Sequence, residues 1–353
     1  YARTWGTNKI VIDSNGLNYQ GQDDSYTVEY NTSGVTVNIV YSGASKGWTP
    51  ISDDVVTDAP VAPTPQKGIF GFGNDGSQSG VTNLVGSNGV IASDVSAVGT
   101  ARTSLDGASY GGDKAIFGFG YTNARVGITN LVNNSGVVAS DTSAVGTAKS
   151  DLSASGYGDD LAIFAFGNTG SMSNSRNLVN NSGVVASDAS GAGTATQRKG
   201  AARYGTGTAI FAYGENGGKT NNKNLVSNTG VVASDTSGAG TALTSHNAAQ
   251  YGTGLAIFLY GQDASGNFQA ISNLVSNTGV VASNVSVAGT ATNFSAGTNY
   301  GGDKAIYAYG QTAASTNVSK SNLVSNTGVV AADVSGVGTA RRQLAATSFS
   351  FSA

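Results

Sequence analysis

The chain has 353 residues, of which 11% are charged, with a net charge of −3, no cysteine and 51 glycines. This excludes disulfide and thiol chemistry, any cysteine-based zinc site and a bulk basic surface for nucleic acid. No apolar run approaches the ~18 residues of a helical membrane span, so no membrane insertion is expected.

The first 57 residues alternate apolar and polar in short runs: Lys9–Ile12, Tyr26–Tyr30 and Val35–Tyr41. Turn clusters separate them at Asp13–Gly16, Gln22–Ser25 and Asn31–Gly34. This pattern predicts a small β meander. So thin a sheet buries little surface alone, which predicts a partner or an oligomerisation role for residues 1–57. Residues 58–67 hold Pro60, Pro63 and Pro65, three of the chain's four prolines. Closely spaced prolines favour extended backbone, so this stretch is a semi-rigid linker. The chain opens on Tyr1 without Met or a signal-peptide pattern, which reads as a processed chain or part of a longer one.

Residues 68–353 are an array. A GIFGFG/AIFGFG phrase starts at Gly68, Ala115, Ala162, Ala209, Ala256 and Ala305. An NLV phrase starts at Asn83, Asn130, Asn177, Asn224, Asn273 and Asn322, and GVVASD and GTA phrases follow. In the second copy the strand-like runs are Arg102–Tyr110, Lys114–Phe119, Thr129–Val132 and Gly136–Ser140. No window keeps a helical period. Four short strands per copy make a propeller blade, and six copies predict a six-bladed β-propeller. Alternation along the second strand places Ala115, Phe117 and Phe119 on one face. The first copy lacks a leading strand and the chain ends on an orphan one, residues 341–349. These are expected to join residues 68–95 and close the ring.

Two resemblances follow. The order Arg102 to Tyr110, Gly111-Gly112, then Ala115-Ile116-Phe117 resembles the kelch-type repeat, with a single Gly120 where that family has two and no outer-strand Trp. The AIFGFG, NLV and GVVASD phrases are more closely similar to kelch-like repeats of phage and other viral proteins. Gly16–Gly21 and Tyr41–Trp48 resemble a small β module of bacteriophage tail fibres, often trimeric. These likenesses imply a virion surface protein, of fibre, appendage or decoration type. They also imply virion partners or a trimer through residues 1–57, and binding of a host surface glycan or receptor. A carbohydrate-active enzyme on the same fold and a purely architectural spike are the alternatives.

Candidate chemistry is sparse. A recurring acid or amide stands at Asp94, Asp141, Asp188, Asp235, Asn284 and Asp333; one carboxylate per turn is too few for calcium and reads as an Asx turn. His246 is the only histidine, and no nucleophile elbow accompanies it. Tyr110, Tyr157, Tyr204, Tyr251, Tyr300 and Phe349 end each first strand and read as blade packing. Glutamate occurs only at 29 and 215, so no facing pair of acids for glycoside hydrolysis is evident. No enzyme, metal or cofactor is expected. The copies differ in the loop after the second strand and in the lead into the first strand. These parts are expected to converge on one face around the channel mouth, with Arg125, Arg176, Arg198 and Lys223 as candidate binding residues. Nearly all Lys and Arg of the array fall in these parts, Lys114 and Lys304 excepted. The positive surplus favours an acidic glycan, partly offset by the recurring Asp.

Overall fold

The computed structural model describes residues 4–25, 27–33, 36–52, 66–96, 98–143 and 146–350. The chain divides into two compact units, Tyr1–Pro63 and Thr64–Ala353. Most of the Pro-rich linker, residues 58–65, lies outside the described residues, and Lys67 already belongs to a strand.

In the first unit, Ile10–Ile12 pairs with Val28–Tyr30 and Asn38–Tyr41 pairs with Trp48–Ser52, each antiparallel. The last strand carries Pro50 and is not predicted from sequence. It stands in a two-stranded ribbon beside an irregular register at Asn38/Ile39, where a missing N–H is tolerated. The two stretches that resemble the fibre module meet. The Trp48 N–H donates to the Asn18 carbonyl and the Gln20 N–H to the Trp48 carbonyl, both at 2.8 Å. A Cβ on Gly47 would lie 1.6 Å from the Asn18 carbonyl oxygen, so only glycine fits there. Tyr19, Val28 and Tyr30 form the core, with the Tyr19 and Tyr30 hydroxyls 2.6 Å apart.

The second unit is a six-bladed β-propeller. Blade 2 runs outward through Asp106–Tyr110, Lys114–Gly118, Ile128–Val132 and the two-residue Thr142–Ser143. Blades 3, 4 and 5 repeat this order, with inner strands Ser153–Tyr157, Gly200–Tyr204 and Asn247–Tyr251. In blade 6 (inner strand Ala296–Tyr300) and blade 1 the outer strand shrinks to single bridges, Ser321 to Val334 and Thr82 to Val95. Blade 1 takes its inner strand from the far end of the chain: Ala345–Phe349 pairs with Lys67–Asn74, Ala345 opposite Gly71 and Phe349 opposite Lys67. The ring closes as expected.

Two details differ from the sequence reading. The GVVAS run is not the fourth strand; it makes one bridge per copy, as from Val138 to Val132, and the outer strand follows the Asp. Ala115, Phe117 and Phe119 do not share a face. The second strand ends at Gly118, and Phe119 turns into the left-handed region with φ 61°. Phe117 packs edge-on against Phe72 of blade 1, while Phe119 packs against Phe164 of blade 3. The same reversal occurs at Phe72, Phe166, Tyr213, Tyr260 and Tyr309. Each blade thus sends one aromatic to each neighbour, and small residues receive them: a Cβ on Gly118 would meet the Phe164 ring at 2.6 Å.

Deleting residues 341–353 removes the inner strand of blade 1 and the buried Leu344, Ala345 and Phe349. Burial of that size is worth several kcal/mol. Thermal unfolding followed by circular dichroism should show loss of the cooperative transition or a much lower midpoint; an unchanged melt would contradict closure through this strand.

Candidate functional site

The lead into each inner strand pairs with the loop that leaves the second strand. Thr103 bridges Tyr121, Ser150 bridges Asn168, Gln197 bridges Glu215, Thr244 bridges Gln262, Asn293 bridges Gln311 and Arg342 bridges Asn74. The two variable parts therefore meet on one face, at one mouth of the channel. The next residue in each copy, Ser104, Asp151, Arg198, Ser245, Phe294 or Gln343, sits at φ 51–57°. This left-handed backbone costs a non-glycine residue about 1 kcal/mol or more. It aims the N–H at the neighbouring blade: Ser104 donates to the Gln343 carbonyl, Asp151 to Ser104, Arg198 to Asp151 and Gln343 to Phe294, at 2.8–3.0 Å. The backbone makes the ring, so the side chains there are free to differ.

Arg198 dominates this mouth. Its Nε lies 3.1 Å from Asp151 and its Nη1 3.5 Å from Glu215, which also meets Lys219 at 3.6 Å. The guanidinium reaches across Ser245 of blade 5 to stand 5.5 Å from the Phe294 ring of blade 6. Beneath lies a cavity of about 70 Å³ lined by Ser104, Asp106, Asp151, Ser245, His246 and Gln343 among others. Arg125 is on the same face, in the loop that begins at Tyr121, and bridges to it. Arg176 and Lys223 are elsewhere: both lie on third strands, Ser175–Val179 and Asn222–Val226. Arg176 Nη1 donates to the Ser190 carbonyl and Lys223 Nζ to the Gly279 carbonyl at 2.8 Å. Tyr121, 39% exposed, and Phe294 were not singled out from sequence. The available signal was that each is an aromatic at a position otherwise polar in every copy.

The positive surplus read from the sequence is largely inside the protein. Arg102, Lys149, Lys199, Lys320 and Arg341 each stand 4.1–5.0 Å from an aromatic ring of the preceding blade: Phe72, Phe119, Phe166, Tyr260 and Tyr309 respectively. Arg102 also donates to the Phe119 and Thr100 carbonyls and to Asn130 Oδ1. Burial pulls Lys149 and Lys199 down to about 8, partly offset by Asp188 and Asp235. The junction of blades 4 and 5 has no such cation. Leu243 stands where Arg102 does in blade 2, and the His246 ring lies 4.5 Å from Tyr213. There Asn273 Oδ1 lacks a partner. With these cations in the junctions, the mouth face keeps Arg125, Arg198, Lys219 and Arg342 against Asp75, Asp151, Glu215 and Asp263. It is close to neutral, and the preference for an acidic glycan loses its basis.

The recurring Asp is an inter-blade latch and not an Asx turn. Asp141 accepts the Thr100 N–H at 3.0 Å and the Thr100 hydroxyl at 2.5 Å from the preceding copy, and Asn130 Nδ2 from its own. Thr339 and Asp94 repeat the contact across the closure. The tyrosines serve packing as expected: a Cβ on Gly183 would meet the Tyr110 ring at 2.9 Å. Among the described residues no cluster of His, Asp and Glu suits a metal ion.

Beyond the mouth the inner strands enclose a channel of about 470 Å³. Asp106 is built into its wall. Its carboxylate accepts the Gly107 N–H at 2.8 Å and the Ala154 N–H of the next blade at 2.7 Å. Burial pushes its pKa up to about 7 against the pull of these two donors. Asn247, in the opposite blade, does the same work without charge: its Oδ1 accepts the Ala248 and Gly297 N–H groups.

No protein-family model matches this chain, and no curated protein matches it.

The buried Asp106, His246 and Arg102 each have a measurable consequence. Because the Asp106 pKa is raised on folding, its neutral form contributes stability fully below about pH 4, lost as pH rises through about 7. A shift of that size corresponds to about 4 kcal/mol, and partial exposure to the channel reduces it to roughly 1–3. Asp106→Asn should therefore stabilise the protein at pH 8 and flatten this slope in urea melts. His246 is shifted the other way, down to about 3 by burial, so its contribution is present above about pH 6.5 and lost as pH falls towards 3. His246→Phe should remove that acid-side loss; an unchanged acid limb would contradict it. At the junctions, Arg102→Ala leaves Asn130 Oδ1 and the Phe119 carbonyl unpaired and should cost about 3–5 kcal/mol in urea denaturation. Arg102→Leu, which copies blade 5, should cost less.

Proposed function

We propose that this protein is a surface component of a virus particle that recognises a host-cell glycan or receptor through the variable mouth of the propeller. One observation carries the reading. The copies agree in the phrases that latch and pack the blades, and apart from the junction cations they differ where the inner-strand leads and second-strand loops meet. Loops fixed on a rigid scaffold are where binding residues concentrate. The proposed footprint is Arg125 with Tyr121, and Arg198 with Phe294. Planar cations and aromatic faces beside neutral polar loops suit an uncharged or weakly charged sugar surface. Arg176 and Lys223, held by carbonyls on the third strands, lie outside this footprint. The virion setting rests on the likeness of Gly16–Gly21 and Tyr41–Trp48 to a tail-fibre module, two stretches that also touch in the fold. Residues 1–57 are then the attachment or trimerisation part.

The test is binding to a printed array of bacterial surface polysaccharides. Arg125→Ser with Arg198→Ser should weaken binding by about tenfold or more, equivalent to ~1.4 kcal/mol. Arg176→Ser with Lys223→Ser should leave it within about twofold, well under that energy. Unchanged binding by the mouth variant, with its melt intact, would overturn the proposed footprint. Absence of binding across the array would return the architectural spike, and release of sugar fragments would return the enzyme.

A further inference from the structure

We infer that the propeller channel, away from the mouth, is itself a binding site for a small neutral saccharide. The inference goes beyond the mouth reading and does not depend on the virion setting.

The site is built at the fourth position of the inner strands, occupied in blade order 1 to 6 by Ser348, Ser109, Gly156, Arg203, Gln250 and Asn299, all lining the same cavity. A Cβ on Gly156 would lie 3.0 Å from Ser109 Oγ and 3.1 Å from Arg203 Cδ, so neighbouring blades bring these side chains together. The missing side chain at Gly156 leaves the space that Arg203 crosses to reach the Gly158 carbonyl. Ser109, Gln250, Asn299 and Ser348 come from four successive blades around the ring. Their side-chain polar atoms bond no other described residue and are open to the channel. Gln66 lines the same cavity; its backbone carbonyl accepts the Gly301 N–H at 2.8 Å, while its side-chain Oε1 is buried without a partner. Of these groups Gln66 Oε1 is shut off from solvent, so a ligand donor that reached it would restore a lost hydrogen bond. Five free amide and hydroxyl groups therefore face one space whose volume of about 470 Å³ falls in the range of small-molecule sites.

The chemistry of the lining selects the ligand class. Amides and hydroxyls offer donors and acceptors together, which matches sugar hydroxyls, each also both. Apart from Tyr110, the apolar side chains of the lining are alanines, so an apolar ligand gains little area. Anions are disfavoured, because Asp106, Asp159 and Asp160 line the cavity against a single cation, Arg203.

The experiment is saturation-transfer NMR on the full chain with lactose, N-acetylglucosamine and sodium glucuronate as probes. The two neutral sugars should receive saturation and glucuronate should not. Gln250→Ala with Asn299→Ala should reduce the transfer by about tenfold, a loss of ~1.4 kcal/mol in binding, with each single variant intermediate and the melts unchanged. The mouth variant Arg125→Ser with Arg198→Ser should keep transfer in full, which separates this site from the mouth. If the double variant fails to fold, the single variants carry the comparison. No transfer from either neutral sugar, or transfer unaltered in the Gln250 and Asn299 variants, would overturn the site.

Discussion

The ring depends on one repeated contact, in which the Asp of one copy grips the Thr of the copy before it. The contact is more than a pair, because an Asn stands at its centre. Asn130 Nδ2 donates to Asp141 and to the Ala139 carbonyl, while its Oδ1 takes the Arg102 guanidinium. One amide thus ties the third strand, the segment before the outer strand and the lead into the inner strand of a blade, and the Asp passes the tie to the preceding copy. The Thr N–H donates to this residue at every junction, at 2.8–3.2 Å, and at most of them the Thr hydroxyl joins it. Asn284 keeps it as an amide, accepting the Thr241 N–H and donating to the Thr241 hydroxyl. The recurrence of NLV, of Asp or Asn after the Val pair, and of GT is therefore one constraint rather than three.

Once that network fixes the blades, the aromatic packing and the buried cations have little freedom. The left-handed turn at Phe119 is what lets a six-residue phrase serve two neighbours, and the conjugate cation sits over the ring so delivered. Arg, Lys from a neighbouring position and Lys from just before the third strand all reach the same place. The demand is for a positive charge over the ring and not for a residue at one position in the copy. Blade 5 shows that the demand can be dropped, with neutral His246 and Leu243 filling the space and Asn273 Oδ1 left unpaired.

Much of this was legible in the sequence, for physical reasons that differ by element. The period, the strand class and the closure by residues 341–349 follow from counting phrases and noting the orphan strand. Strand register within the phrase did not follow, because period-two alternation assumes extended backbone and Phe119 leaves it. The Val-Val pair reads as strand, yet Val137 is 60% exposed and Val138 7%, since the run holds one bridge at the end of a turn. The role of the Asp was half read: an acceptor for turn donors, but those of the preceding copy, 41 residues away. The cations misled most. Variable position suggested surface, whereas three-dimensional equivalence put five of them in the junctions. Of the candidate site, the convergence at the mouth and Arg125 and Arg198 on that face were readable. Tyr121, Phe294 and the channel groups needed the fold, because free hydrogen-bonding groups are recognised only once every other partner is accounted for.

The closing strand bears on how the molecule is made. Arg341 donates to the Phe72 carbonyl, 269 residues earlier in the chain. Closing a loop grows costlier only slowly with length, but contacts of such separation form late and slow the search. Blades 2 to 6 can each pair their strands as they leave the ribosome, since every blade draws on a contiguous stretch. Blade 1 cannot. Its Lys67–Asn74 and Gln78–Val85 strands must wait as a hairpin with an open inner edge while five blades assemble beside it. An open strand edge of that kind invites pairing with another chain. The waiting time is set by translation of the intervening copies, so the most vulnerable species on the pathway is the nearly complete ring.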